Sequence, residues 1–189
     1  MGMGSFDVSG LKELQKQLEK QKKSVDAFVE SCAKELAARL LRMIVMRTPV
    51  GDYSHEVEVV AKRDSKTHKK GDVYKKRVNK SGKHGGTLRR GWISEKQEEA
   101  ENGKGSPQVK EILEYVNGVQ VSHSGGMLRI EIINPVEYAP YIEYGHRTVN
   151  HKNWVKGHFM MTISEQELQT LAPRLLEKRL KEFLGGALK

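Results

Sequence analysis

Histidines, tyrosines and a single cysteine are the side chains here with the most chemistry to offer. His146, His151 and His158 come nearest to a metal pattern, spaced by five and seven positions in a stretch that also holds Gly and Asn. The chain has neither His-Glu-x-x-His nor a pair of cysteines, so no metal is expected. "SHSGG" at 122 to 126 sets a serine beside a histidine, yet it lacks the Gly-x-Ser-x-Gly elbow that exposes a nucleophile. Gly103-Lys104-Gly105-Ser106 lacks the spacing and the preceding apolar strand of a phosphate loop. Glu98, Glu99 and Glu101 lie on a polar run and read as a solvated helix end. Cys32 sits among helix formers, where a free thiol is usually a small apolar filler, and a lone cysteine fits a reducing compartment. These patterns give no catalytic residue, no metal ligand and no cofactor.

"VEYAPYIEYGHRT", residues 136 to 148, is the densest aromatic stretch and holds three of the six tyrosines. Tyr138, Tyr141 and Tyr144 recur every third position, with Pro140 inside and Gly145-His146-Arg147 at the end. A short helical turn over 137 to 144 would bring them to one side. The stretch then reads first as a packing corner, with tyrosine hydroxyls reaching polar partners at its rim. A subunit interface that includes His146 and Arg147, and after it a ligand site, stay open as alternatives.

Charge is the other strong signal. Between Ala61 and Arg90 there are twelve Lys or Arg against two Asp, a local charge of +10 where the whole chain carries +9. This segment has four glycines and few large apolar residues, so it cannot bury a core and reads as a long mobile loop or an extended hairpin. Lys62, Lys69, Lys70, Lys75, Lys76, Arg77, Lys80, Lys83, Arg89 and Arg90 are its candidate contacts to nucleic acid or an acidic partner. Such contact would be non-specific, through phosphates. Tyr53, Tyr74 and Trp92 are too few nearby rings for stacking along a single strand.

These candidates need a frame. Leu11, Leu14 and Leu18 suggest a first helix capped by Ser9, and a second helix capped by Ser24 carries Val25, Phe28, Val29, Cys32, Leu36, Leu40 and Ile44. Thr48-Pro49 stops it. "HEVEVVA" and "RRGWISE" read as two strand stems flanking the basic segment, and "PQVKEILEYV" as a short helix or a leading strand. "YVNGVQVSH" and "MLRIEIINPV" alternate as a hairpin across a Gly-Gly bend. Ser164 and Glu167 form the capping box of a last helix, with Pro173 predicting a break and Gly185-Gly186 the stop. The expected fold class is α+β: long N-terminal helices and a C-terminal helix packed on one antiparallel β-sheet, with a long basic loop inserted between strands. One domain would span 1–189, with 62–88 a lysine-rich flexible insertion. No apolar run approaches the roughly 18 residues that cross a bilayer. The opening Met-Gly-Met-Gly-Ser-Phe has no secretory or myristoylation pattern.

Taken in order, "FDVSGLKELQKQLEK", "RTPVGDY", "GGTLRRGW", "INPVEYAPYIEYGHRT" and "GHFMMTISEQEL" give the chain a family likeness. It resembles the tail-completion, or head–tail joining, proteins of long-tailed bacteriophages, also labelled phage tail component or minor neck protein, over residues 5 to 184. The resemblance implies a non-enzymatic virion subunit, assembled in the host cytoplasm and needing no membrane. It implies a homo-oligomeric, hexameric ring between the tail tube or its terminator and the head connector, through which duplex DNA passes. Family members join the long helix to the next element by a short "TPVDTGTLR" type connection. Here "TPVGDY" and "GGTLRRGW" stand about thirty residues apart, so the lysine-rich segment looks like an insertion. A DNA-binding accessory protein acting through 61–90 is the alternative.

Overall fold

In the computed structural model, residues 9–82 and 84–187 are described, and they divide into two compact units. The first unit draws on residues up to Met43, on Val109–Ile132 and on residues from Met161 onward. Its long elements are α1 (Ser9–Arg47), whose last residues belong to the second unit, and α6 (Met160–Ala187), together with the shorter α4 (Val109–Gly118). Phe28 of α1 stacks on Phe183 of α6 with centroids 4.4 Å apart, and Arg179 reaches Glu35 at 3.1 Å. Ile112 and Val116, one helical turn apart, bury the inner side of α4. A two-residue Gly125-Gly126 turn joins β3 (Ser122–Ser124) to β4 (Met127–Arg129) in a short antiparallel ladder.

Several expectations shift here. The two N-terminal helices are one helix of 39 residues, because "KQKKSVDA" holds no Gly or Pro and propagating a helix through one serine costs far less than nucleating a second. Ser9 opens it; the side chains of Leu11, Leu14 and Leu18 lie outside the described residues. The apolar stripe holds at Cys32 and Ile44, whereas Val25 and Val29 are exposed. "YVNG" closes α4 instead of opening a strand, since its Val116 falls four residues after Ile112 on the same buried side. The last helix begins four residues before Ser164, which is fully buried, and runs through Pro173 and Gly185-Gly186. Gln169 and Pro173 are both exposed, so the carbonyl left without an amide stays in water and no break is forced.

The second unit comprises Ile44–Gln108 and Ile133–Met160. It holds the hairpin of β1 (His55–Val60) and β2 (Val73–Val78), the short helices α2 (Thr87–Gly91), α3 (Gln97–Asn102) and α5 (Ala139–Tyr144), and the hairpin of β5 (Gly145–Arg147) and β6 (Trp154–Lys156). The expected single sheet is therefore three separate two-stranded antiparallel ladders. Within the basic segment Val73–Val78 is a strand paired with His55–Val60 at six positions, from His55↔Val78 to Val60↔Val73, which makes this part a hairpin and not a loop. "RRGWISE" forms no strand: Leu88 and Trp92 are four apart and both buried, which is helical spacing in a stretch too short to display it.

Thr48, fully buried, ties this unit together. Its hydroxyl donates to the Ile44 carbonyl (2.7 Å) and accepts from the Trp92 indole (2.9 Å), and its own carbonyl accepts from Arg89 Nε (2.6 Å). Thr48→Val keeps the shape and strands the indole N–H. We expect a loss of about 1–3 kcal/mol in a urea titration, with Thr48→Ser losing less.

Candidate functional site

The tyrosine stretch forms the short helix that the sequence suggests. Pro140 stands in the first turn of α5, and Gly145 at φ 86° turns the chain out of it. A Cβ on Gly145 would run into the Val155 carbonyl, so glycine is required at this close approach. His158 and Phe159 donate their amides to the Ile142 and Glu143 carbonyls (2.8 and 3.0 Å), satisfying the end of α5. The buried side of this corner consists of Val136, Ala139 and Glu143. The tyrosines are on the other side. Tyr138 is 41% exposed, Tyr141 57% and Tyr144 62%.

Other large side chains stand exposed beside them. In the β5–β6 ladder Arg147 pairs with Trp154 and His146 with Val155. Trp154 is 61% exposed, Val155 is also exposed, and Val149 at the hairpin tip is 99% exposed. His146 meets the edge of the Tyr141 ring (6.0 Å, 82°), and its Nδ1 is shielded with no hydrogen-bond partner among the described residues. Sequence reasoning named Tyr138, Tyr141, Tyr144, His146 and Arg147 as candidates and did not name Trp154 and Val155, which stand exposed beside them. The Trp-Val dipeptide between polar residues was the available signal.

A cleft of about 350 Å³ lies where the "TPVG" and "HGG" loops meet, with Tyr53, His84, Tyr138 and His158 on its walls. Burial raises the Tyr138 hydroxyl above the usual phenol range, and the neighbouring Tyr53 and Glu101 add to the shift. No three His, Cys, Asp or Glu among the described residues could share a metal ion, so His146, His151 and His158 do not come together as ligands. His123 and the serines of "SHSGG" lie on the exposed β3–β4 ladder.

The candidate cations divide into three groups. Arg89 and Arg90 belong to the scaffold. Arg90, 6% exposed, donates to the carbonyls of Ala100 (2.6 Å), Gly105 (2.8 Å) and Gly85 (3.2 Å) and to the Thr87 hydroxyl (3.3 Å). Lys75 and Arg77 lie in the hairpin stem. Lys75 stands opposite Glu58 and 3.9 Å from Glu56, and Arg77 binds Asp52 at 2.7 Å. Hydrogen bonds from the Ser54 hydroxyl and amide hold the Asp52 carboxyl below its ordinary range, with Arg77 contributing. Lys62, Lys69 and Lys70 are at the exposed hairpin tip, Lys76 and Lys80 are exposed nearer its base, and Lys83 lies outside the described residues.

Among the described residues no helix is long and apolar enough to cross a membrane. A family model described as "Bacteriophage HK97-gp10, putative tail-component" matches residues 12–145, from the start of α1 through α5. Comparison with curated proteins and with solved structures returned no match.

Proposed function

The chain belongs to the bacteriophage HK97-gp10-like tail-component family, and from that membership we propose that it is a ring-forming subunit at the head–tail junction of a tailed phage or phage-like particle. The family is one of structural phage parts, which puts the chain in the virion and gives it other phage structural proteins as neighbours. The ring, its hexameric count and its seats on the tail tube or terminator and on the head connector are our reading.

One observation carries it. Tyr141, Tyr144 and Trp154 are each more than half exposed on adjacent short elements, beside a His146 nitrogen with no hydrogen-bond partner among the described residues. Aromatic side chains left in water are what subunit interfaces use as anchors. A ring joins copies head to tail, so this surface would meet a different surface on the next copy. The Tyr138 to Arg147 stretch is thus assigned to the interface, and shape rather than turnover is the chain's work.

Electron microscopy of particles assembled with and without this chain tests the proposal. Without it we expect tails of normal composition that are unjoined to heads or wrong in length. Joined, full-length particles in its absence would end the reading. The second reading, a DNA-binding accessory role, is favoured by the unpaired cations at the β1–β2 tip alone.

A further inference from the structure

We infer that the tip of the β1–β2 hairpin, residues 62–72, is a docking point for the phosphate backbone of duplex DNA, and that the rest of the basic segment is not. The inference does not depend on the ring. It starts from how the hairpin sorts its charges. In the stem Glu58 stands opposite Lys75 and Glu56 opposite Arg77, which also binds Asp52, while Lys76 stands opposite Val57 and Lys80 lies beyond the ladder, so three carboxylates meet four cations there. In the tip Lys62, Arg63, Lys66, Lys69 and Lys70 face only Asp64 and Asp72. All five cations are exposed, and none makes an ion pair within the described residues.

The two tip carboxylates serve the backbone instead. Asp64 accepts from the Lys70 amide and Asp72 from the Lys69 amide, both at 2.7 Å. Ala61 donates to the Asp72 carbonyl and Gly71 to the Ala61 carbonyl, each at 2.9 Å, while Ser65 and His68 close an inner turn at 2.8 Å. His68 stacks on Tyr74 at 4.2 Å and 11°. The cations are therefore presented on a shaped loop, which lowers the ordering entropy lost on contact. Six-residue strands at about 3.3 Å per residue carry that loop about 20 Å along the hairpin.

The same residues choose among anionic partners. Nothing from 62 to 72 is apolar, so the tip cannot supply the desolvated centre of a protein interface, where lysine is depleted. Its one ring is already stacked, so unpaired bases find no platform. Without an apolar anchor, binding to a lipid surface would rest on charge alone. Evenly spaced phosphates on a duplex need only cations at a suitable pitch.

The test measures anisotropy of labelled duplexes of about 25 base pairs and two unrelated sequences, titrated with full-length protein at about 50 to 200 mM salt. Three to four phosphate contacts predict a fall in affinity of about 40- to 150-fold across that range, equal for both sequences. Lys62→Gln/Lys66→Gln/Lys69→Gln/Lys70→Gln should bind about 30-fold or more weakly at the low-salt end and lose most of the salt slope. A control of identical net charge, Lys104→Gln/Lys110→Gln/Lys178→Gln/Lys181→Gln, should stay within about threefold. Replacing 61–72 by an Asn-Gly turn should reproduce the tip variant while circular dichroism shows the fold intact. Equal losses in the two quadruple variants would mean bulk attraction and overturn the inference. So would tighter binding of wild type to a single strand, to vesicles containing phosphatidylserine, or to polyglutamate than to the duplex.

Discussion

Arg90→Ala is expected to remove about 3–5 kcal/mol from the stability of the second unit, the largest single-residue effect in the molecule. The guanidinium is nearly enclosed and burial lowers its pKa from the ordinary arginine value, yet no carboxylate lies within 4 Å among the described residues. Its charge is met by dipoles alone. The Gly85 and Gly105 carbonyls come from loops and the Ala100 carbonyl from within α3, with the Thr87 hydroxyl completing the set. Gly103 packs against the Arg90 side chain closely enough that a Cβ there would collide with it. Truncation leaves a cavity and three carbonyls without their donor. Arg90→Lys keeps the charge but concentrates its donors on one nitrogen, which cannot span acceptors set by a planar fork, so about 2 kcal/mol should still be lost. Arg90→Met should fall between the two. Urea titration reads all three, and a loss below about 1 kcal/mol for alanine would show that the carbonyls find water and that the fork is dispensable.

The same arginine shows where sequence reading reached its limit. Composition places Arg90 and Arg89 at the end of a basic segment and makes them contacts for an anion. The fold makes them struts, because a charge count carries no information about which carbonyls converge on a side chain from fifteen residues away. The charge count also omits the partners of Lys75 and Arg77: Glu56, Glu58 and Asp52 lie upstream of the counted window, and the ladder register sets Glu58 opposite Lys75 and Glu56 opposite Arg77, which also binds Asp52. What was legible was local. Gly145 marks the end of α5, Gly125-Gly126 marks a two-residue turn, and Thr48-Pro49 marks the end of α1. Period-two alternation finds strands but says nothing of which strands pair, so one sheet was expected where three ladders form. Three-residue spacing likewise put the tyrosines on one side of a helix without saying whether that side is covered.

That exposed side yields the second large effect. Tyr141→Ala/Trp154→Ala should leave the isolated chain almost as stable as before while joining of heads and tails collapses. Both side chains are more than half exposed, and the ring contact of Tyr141 among the described residues is an edge contact to His146 at 6.0 Å, so their truncation should cost the fold about 1 kcal/mol or less. For a chain of this length that is a fall of about 2–4 °C in Tm. An interface loses much more: aromatic anchors at the centre of a contact are worth about 2 kcal/mol or more each. Two of them amount to about a thousandfold in affinity. The measurement is the fraction of joined particles when each variant is supplied to cells lacking the wild-type chain, beside a melt of the purified protein. Met127→Ala, still more exposed and on the first unit, controls for apolar truncation in general. A large drop in Tm with the double variant would return the tyrosines to a packing role. Unchanged joining with an unchanged melt would move the interface elsewhere on the chain, because a surface whose two largest anchors can be removed without consequence is not holding a neighbour.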